Sequence, residues 1–110
     1  MANNSQLLKG VLEGCILKII ESRETYGYEL FNIMKEYGFH NISEGTIHPL
    51  LIRLEKNQLI KSTLKASPLG PKRKYFTLTE KGKNELKEFK VSWDQITKNV
   101  ERIWGESNND

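Results

Sequence analysis

The chain has 110 residues, of which 28% are charged and 37% hydrophobic, and a formal net charge of +3. That length suits one domain with one modest core. Two histidines, one cysteine and no phosphate-binding glycine loop offer neither a catalytic nor a metal-ligating cluster, so the composition argues against an enzyme and predicts no metal and no cofactor.

The first predicted helix covers residues 5–21. Leu8, Val11, Leu12, Cys15, Ile16, Ile19 and Ile20 recur at the helical period and make one broad apolar face. Gly10 and Gly14, four residues apart, are expected inside this helix, where they leave a shallow strip for a close neighbour. Cys15 has no second cysteine to pair with and sits on the apolar side, as a buried structural thiol in a reducing compartment would. Residues 1–6 lack the basic-then-apolar layout of a leader, and Glu13 and Lys18 interrupt the best apolar run. These features point to a cytoplasmic protein with no membrane partner.

A polar break at residues 22–25 leads to a second helix, with Thr25 as its N-cap and Gly38 just past its end. The third helix starts at Ser43 or Glu44 and carries an inward stripe of Ile47, Leu50, Leu51 and Leu54. Thr46, His48, Pro49, Arg53 and Lys56 are left for other directions. Pro49 cannot donate a backbone N–H and is expected in or near the first turn. Asn57 is expected to close the helix in a left-handed conformation. Two strands follow, at residues 59–64 and 75–78. Between them lies a loop of glycine, proline and charge that reads as an irregular tip rather than a tight turn. Between Arg53 and Lys74 stand seven cations (Arg53, Lys56, Lys61, Lys65, Lys72, Arg73, Lys74) against the single anion Glu55, a local balance of +6 that leaves −3 for the rest. A localised positive field of this kind suits a polyanion.

A helix followed by a hairpin with a basic tip is the layout of a winged helix-turn-helix. The predicted fold class is therefore mostly α (α+β): a winged helix-turn-helix with a two-stranded wing over residues 1–79, then a C-terminal dimerisation helix and short polar tail over residues 80–110. In the last helix, expected over residues 80–105, Leu86, Phe89, Trp93, Ile96, Val100 and Ile103 are spaced 3, 4, 3, 4, 3. That is the a/d stripe of a helix that meets a partner helix, here a second copy of the chain, packed with its first helix against the last. About 25 residues at 1.5 Å each give near 37 Å, more than a small three-helix core can cover.

Three motifs in order resemble the PadR-like family of winged-helix transcriptional regulators, in its short-tailed form. They are Thr25-Tyr26-Gly27-Tyr28-Glu29-Leu30, then Ser43-Glu44-Gly45-Thr46-Ile47-His48-Pro49-Leu50-Leu51 with Arg53-Leu54-Glu55, and Gly70-Pro71-Lys72-Arg73-Lys74-Tyr75-Phe76-Thr77-Leu78-Thr79 with Gly82. His48 stands where the family usually has tyrosine, Gln58 replaces a usual glycine, and Pro71 lies in a wing motif that is usually Gly-Gly-Arg-Arg-like. The resemblance implies a homodimer that represses transcription from a palindromic operator on double-stranded DNA and is released by a small hydrophobic or aromatic effector. In some relatives flat aromatic molecules sit between paired tryptophans at the dimer interface, and Trp93 stands where that tryptophan would be.

The expected DNA contacts are Thr46, His48 and Pro49 at bases, with Arg53, Lys72, Arg73 and Lys74 at phosphates. An effector site is expected around Trp93, walled by Phe89 and Ile96 and closed by Val11, with Gly14 leaving the gap. The competing reading is a winged-helix protein-interaction module that does not touch DNA, which would have no need of Lys72-Arg73-Lys74 beside a glycine-proline tip.

Overall fold

A computed structural model describes residues 7–8 and 10–108. The predicted start of the first helix, at residue 5, lies outside the described residues, as do the last two residues of the tail. In chain order the elements are α1 (Val11–Ser22), β1 (Thr25–Tyr26), α2 (Gly27–Glu36), α3 (Glu44–Lys56), β2 (Ile60–Ser67), β3 (Gly70–Leu78) and α4 (Glu80–Asn108). The apolar stripes of the three short helices converge on one core. Ile16 and Leu17 of α1, Leu30 and Met34 of α2, and Ile47 and Leu54 of α3 are almost completely buried, and Ile60 and Phe76 close it from the sheet.

Gly10 is not inside a helix. It adopts φ 82°, which only glycine enters without cost, and stands at the N-cap of α1. Gly14 does lie inside α1, and its missing side chain is occupied by the ring of Phe89 from the same chain. The gap expected at the pair of glycines is therefore one close contact between α1 and α4.

Thr25 does not cap α2 as expected. Thr25 and Tyr26 form a short strand that pairs antiparallel with Phe76 and Tyr75 of β3, and Tyr26 is the N-cap. Thr25 is fully buried, and its hydroxyl donates to Glu29 Oε1 at 2.6 Å, which ties the start of α2 to the sheet. In α3, Pro49 lies mid-helix rather than in the first turn, so it offers no N–H to the Gly45 carbonyl. The left-handed residue after α3 is Gln58 (φ 62°), while Asn57 stays at φ −82°. The left-handed conformation thus falls on Gln58, the position at which the resemblance leads one to expect glycine.

The sheet has the order β1-β3-β2, all antiparallel. Both wing strands are longer than expected. The pairing runs from Ile60 with Leu78 to Ser67 with Gly70, leaving only Pro68 and Leu69 at the tip. The tip is a tight two-residue connection, not an irregular loop. Pro71 fits because β1 covers β3 only at Tyr75 and Phe76, and the register slips between Lys65 and Ser67, across from the proline that cannot donate.

Thr79 caps α4: its hydroxyl accepts the Gly82 N–H at 2.9 Å and donates to the Gln58 carbonyl at 2.7 Å. A Cβ on Gly82 would lie 2.0 Å from the Leu59 carbonyl oxygen, so only glycine lets the first turn of α4 rest there. With 29 residues α4 extends about 43 Å. Leu86 is buried in its own core and Phe89 is half-buried against α1. Beyond them Trp93, Ile96, Val100 and Ile103 are exposed, Ile96 at 55%. The stripe thus divides: Leu86 and Phe89 serve their own domain, Trp93 stacks on Phe89 at its margin, and Ile96, Val100 and Ile103 lie exposed farther along the helix.

Candidate nucleic-acid interface

The burial of Ile47, Leu51 and Leu54 fixes the rotation of α3. Thr46, His48, Pro49 and Arg53 are all exposed, with Gly45, Ile52 and Lys56 between them. His48 lies on one flank, beside a cleft of about 160 Å³ lined also by Gly27, Tyr28 and Glu44. Arg53 lies on the other flank, where its guanidinium meets the Glu13 carboxylate of α1 at 3.2 Å.

The three wing cations do not act as one patch. Successive side chains of a strand point to opposite faces, so Lys72 and Lys74 share one face of β3 and Arg73 takes the other. Lys74 reaches the Glu55 carboxylate of α3 at 2.8 Å, and Glu55 also accepts the Ser62 hydroxyl at 2.6 Å. Those two hydrogen bonds, the one from Lys74 first, hold the Glu55 carboxyl below the usual glutamate range. Arg73 lies over the ring of Tyr26 at 4.4 Å, on the face where Tyr26 meets Tyr75 edge-on. Lys65, across from Arg73, lies over Tyr75 and is ion-paired with Glu24. Lys72 is exposed and meets no carboxylate among the described residues.

The structure therefore exposes Thr46, His48, Pro49 and Arg53 on α3, brings Lys74 against α3 through Glu55, leaves Lys72 exposed on the wing, and turns Arg73 to the other side. The sequence reading passed over Ile52, Tyr28 and the Tyr26–Arg73–Tyr75 cluster. Helical phase would have placed Ile52 outward. Strand alternation would have separated Arg73 from its neighbours had the wing been read as strand to its tip.

A second feature lies where α1, α2 and α4 meet. A groove of about 760 Å³ is lined by Gly14, Cys15, Met34, Tyr37, Phe89 and Trp93, among others. The rings of Phe89 and Trp93 stack with centroids 6.3 Å apart and planes 9° from parallel. Of the five residues expected at an effector site, Gly14, Phe89 and Trp93 line this groove. Val11 and Ile96 do not. Cys15 is half-buried at this groove rather than fully buried as expected, and desolvation pushes its thiol up from its usual value. Among the described residues no group of histidine, cysteine and carboxylate side chains could hold a metal, and no helix is long and apolar enough to cross a membrane.

Comparison with known proteins gives this arrangement a context. The sequence matches the transcriptional regulator PadR-like family over residues 16–88. The fold is similar to that of a PadR-like transcriptional regulator from Bacillus cereus, with 55% identity, a TM-score of 0.81, and 89% of this chain and 95% of that one covered. A Streptococcus transcriptional regulator is similar at 51% identity and a TM-score of 0.82, over 89% and 96% of the two chains. Bacillus subtilis PadR, whose crystal structure is in complex with operator DNA, is similar at 28% identity and a TM-score of 0.68, over 74% of this chain and 46% of that one. The family consists of transcriptional regulators rather than enzymes, and the chain, a mostly helical winged-helix protein, belongs to it: the PadR-like family of transcriptional regulators.

Proposed function

We propose that this protein is a homodimeric, sequence-specific DNA-binding repressor whose hold on its operator is relieved by a small hydrophobic or aromatic molecule. The observation that carries the reading is the surface shared by α3 and the inner side of the wing. There Arg53 and Lys56 are exposed on the helix and Lys72 and Lys74 on the hairpin that follows it, Arg53 paired with Glu13 and Lys74 with Glu55, a set of cations suited to a phosphate backbone that can displace those carboxylates. The operator complex of Bacillus subtilis PadR supports the choice of DNA over another polyanion. The reading carries a cytoplasmic location with it.

The dimer is supported by the exposed stripe of Trp93, Ile96, Val100 and Ile103, large apolar residues on one edge of a helix that outruns its own core. A two-fold operator follows from a two-fold protein, with α3 helices about 34 Å apart in successive major grooves. The effector is supported by the groove beside Phe89 and Trp93, because a ligand wedged between α1 and α4 would alter how the two domains of a dimer are set.

The test is a footprint on the DNA upstream of the protein's own gene, with and without a panel of flat aromatic molecules. Protection of a palindrome, relieved by at least one of them, is the expected outcome. A chain that protects no segment and passes through heparin unretained is instead the protein-interaction module.

A further inference from the structure

The outward side of α3 carries a second stripe, opposite the core stripe. Gly45, Pro49, Ile52 and Lys56 recur at intervals of four, three and four, and all four are exposed. The middle of this stripe is devoid of hydrogen-bonding side chains. Gly45 has none, the Pro49 ring is apolar, and Ile52 is 52% exposed although it is large and β-branched. Polar and charged groups surround this apolar middle: Thr46 and Arg53 on one flank, His48 on the other, and Lys56 at the end of the stripe.

Resting on the reading of α3 as the helix that enters the major groove, we infer that Ile52, with Pro49 beside it, is a specificity-determining residue that reads the C5-methyl groups of thymine. In the major groove the methyl group is the one apolar feature that a base edge presents, and an apolar side chain is its natural partner. An isoleucine offered to any other edge would desolvate a donor or acceptor without replacing its hydrogen bond, which disfavours the wrong base. The flanking cations, Arg53 and Lys56 on the helix and Lys72 on the wing, fit an apolar ridge pressed into a polyanion better than one pressed into an apolar protein surface. Thr46 and His48 are then left to hydrogen-bond the neighbouring base pairs.

The experiment begins with selection of duplexes from a random pool by the intact protein. Each thymine of the selected site is next replaced by deoxyuridine, which removes only the methyl group. Binding is measured for the wild type, Ile52→Ala and Ile52→Val. For the wild type, at least one replacement should weaken binding roughly three- to five-fold, the effect of one buried methyl group. The same replacement should cost Ile52→Ala nothing, because the two truncations remove one contact. Ile52→Val should fall between. Since Ile52 is exposed, all three proteins should melt alike. A selected site that tolerates every deoxyuridine, or a loss of equal size in Ile52→Ala, overturns the assignment while leaving DNA recognition intact. Failure to select any sequence overturns DNA recognition itself, and Ile52 would then belong to a protein-docking face.

Discussion

The ring of Phe89 lies where a side chain on Gly14 would have to be: a Cβ at that position would approach three of its ring atoms to between 2.3 and 2.5 Å. This contact fixes how closely α4 lies on α1, and so the direction in which the rest of α4 leaves the domain. It also forms one wall of the groove beside Trp93.

Gly14→Ala sets two effects against each other. Alanine is about 1 kcal/mol better than glycine in a helix interior, while overpacking costs typically about 1–3 kcal/mol. We expect net destabilisation of Gly14→Ala by chemical denaturation. In a Phe89→Ala background the same change should become stabilising by up to about 1 kcal/mol, because only the helix preference remains. A sign that does not reverse would mean that the ring is not the obstacle.

Glu55 couples α3 to the wing through Lys74 and Ser62. Its carboxyl is held below the ordinary value of 4.5, chiefly by the hydrogen bond from Lys74 and next by that from Ser62. A group with a lowered folded pKa stabilises the fold above its unfolded pKa, and that contribution disappears as pH falls through the folded value. The melting temperature of the wild type should therefore drop more steeply below pH 4.5 than that of Glu55→Gln. At neutral pH Glu55→Gln releases Lys74, so it should bind duplex DNA more tightly and with a salt slope steeper by up to about one unit. An unchanged slope would show that Lys74 contributes to the wing's structure and not to its charge.

Ile96 is more than half exposed in the protomer, so its replacement should leave the core undisturbed. Ile96→Glu would place an unpaired carboxylate in an apolar helix pair, at a cost of several kcal/mol to association. Sedimentation should show a folded monomer with wild-type helix content. A stable dimer from this variant would mean that the exposed stripe of α4 is not the interface.

The groove makes a spectroscopic prediction. With Trp104→Phe removing the second indole, a flat aromatic cation bound beside Phe89 should quench Trp93 in a saturable way. Trp93→Ala should abolish binding while the protein stays dimeric. A broad aromatic panel without saturable quenching would leave Trp93 as packing.

Much of this architecture is legible in the sequence. The helical stripes of α1, α2 and α3 appear directly in the spacing of Ile16, Leu30 and Ile47 with their neighbours, because a buried face must repeat with the helix. The two-residue strand β1 could not be read, since Thr25 and Tyr26 are too short a run to show alternation and are extended only because β3 pairs with them. The wing tip was hidden by composition: Gly70 and Pro71 look like a loop, yet β3, although central in the sheet, has no β1 neighbour at Pro71 and tolerates proline where no partner needs its N–H. At the site, the exposure of Thr46, His48, Pro49 and Arg53 was legible from helical phase. The ion pairs of Arg53 with Glu13 and of Lys74 with Glu55 were not, because they join residues that only the tertiary fold brings together.

Lys72 tests the central claim most directly, because it is exposed, lies on the wing strand β3 and meets no carboxylate among the described residues. The measurement is the affinity of wild type and Lys72→Ala for a duplex across a range of salt concentrations. If α3 and the wing grip DNA together, the variant should bind every sequence more weakly, and its logarithmic salt slope should fall by about one unit. Equal affinity and an equal slope in the two proteins would contradict the placement of DNA along α3 and the wing.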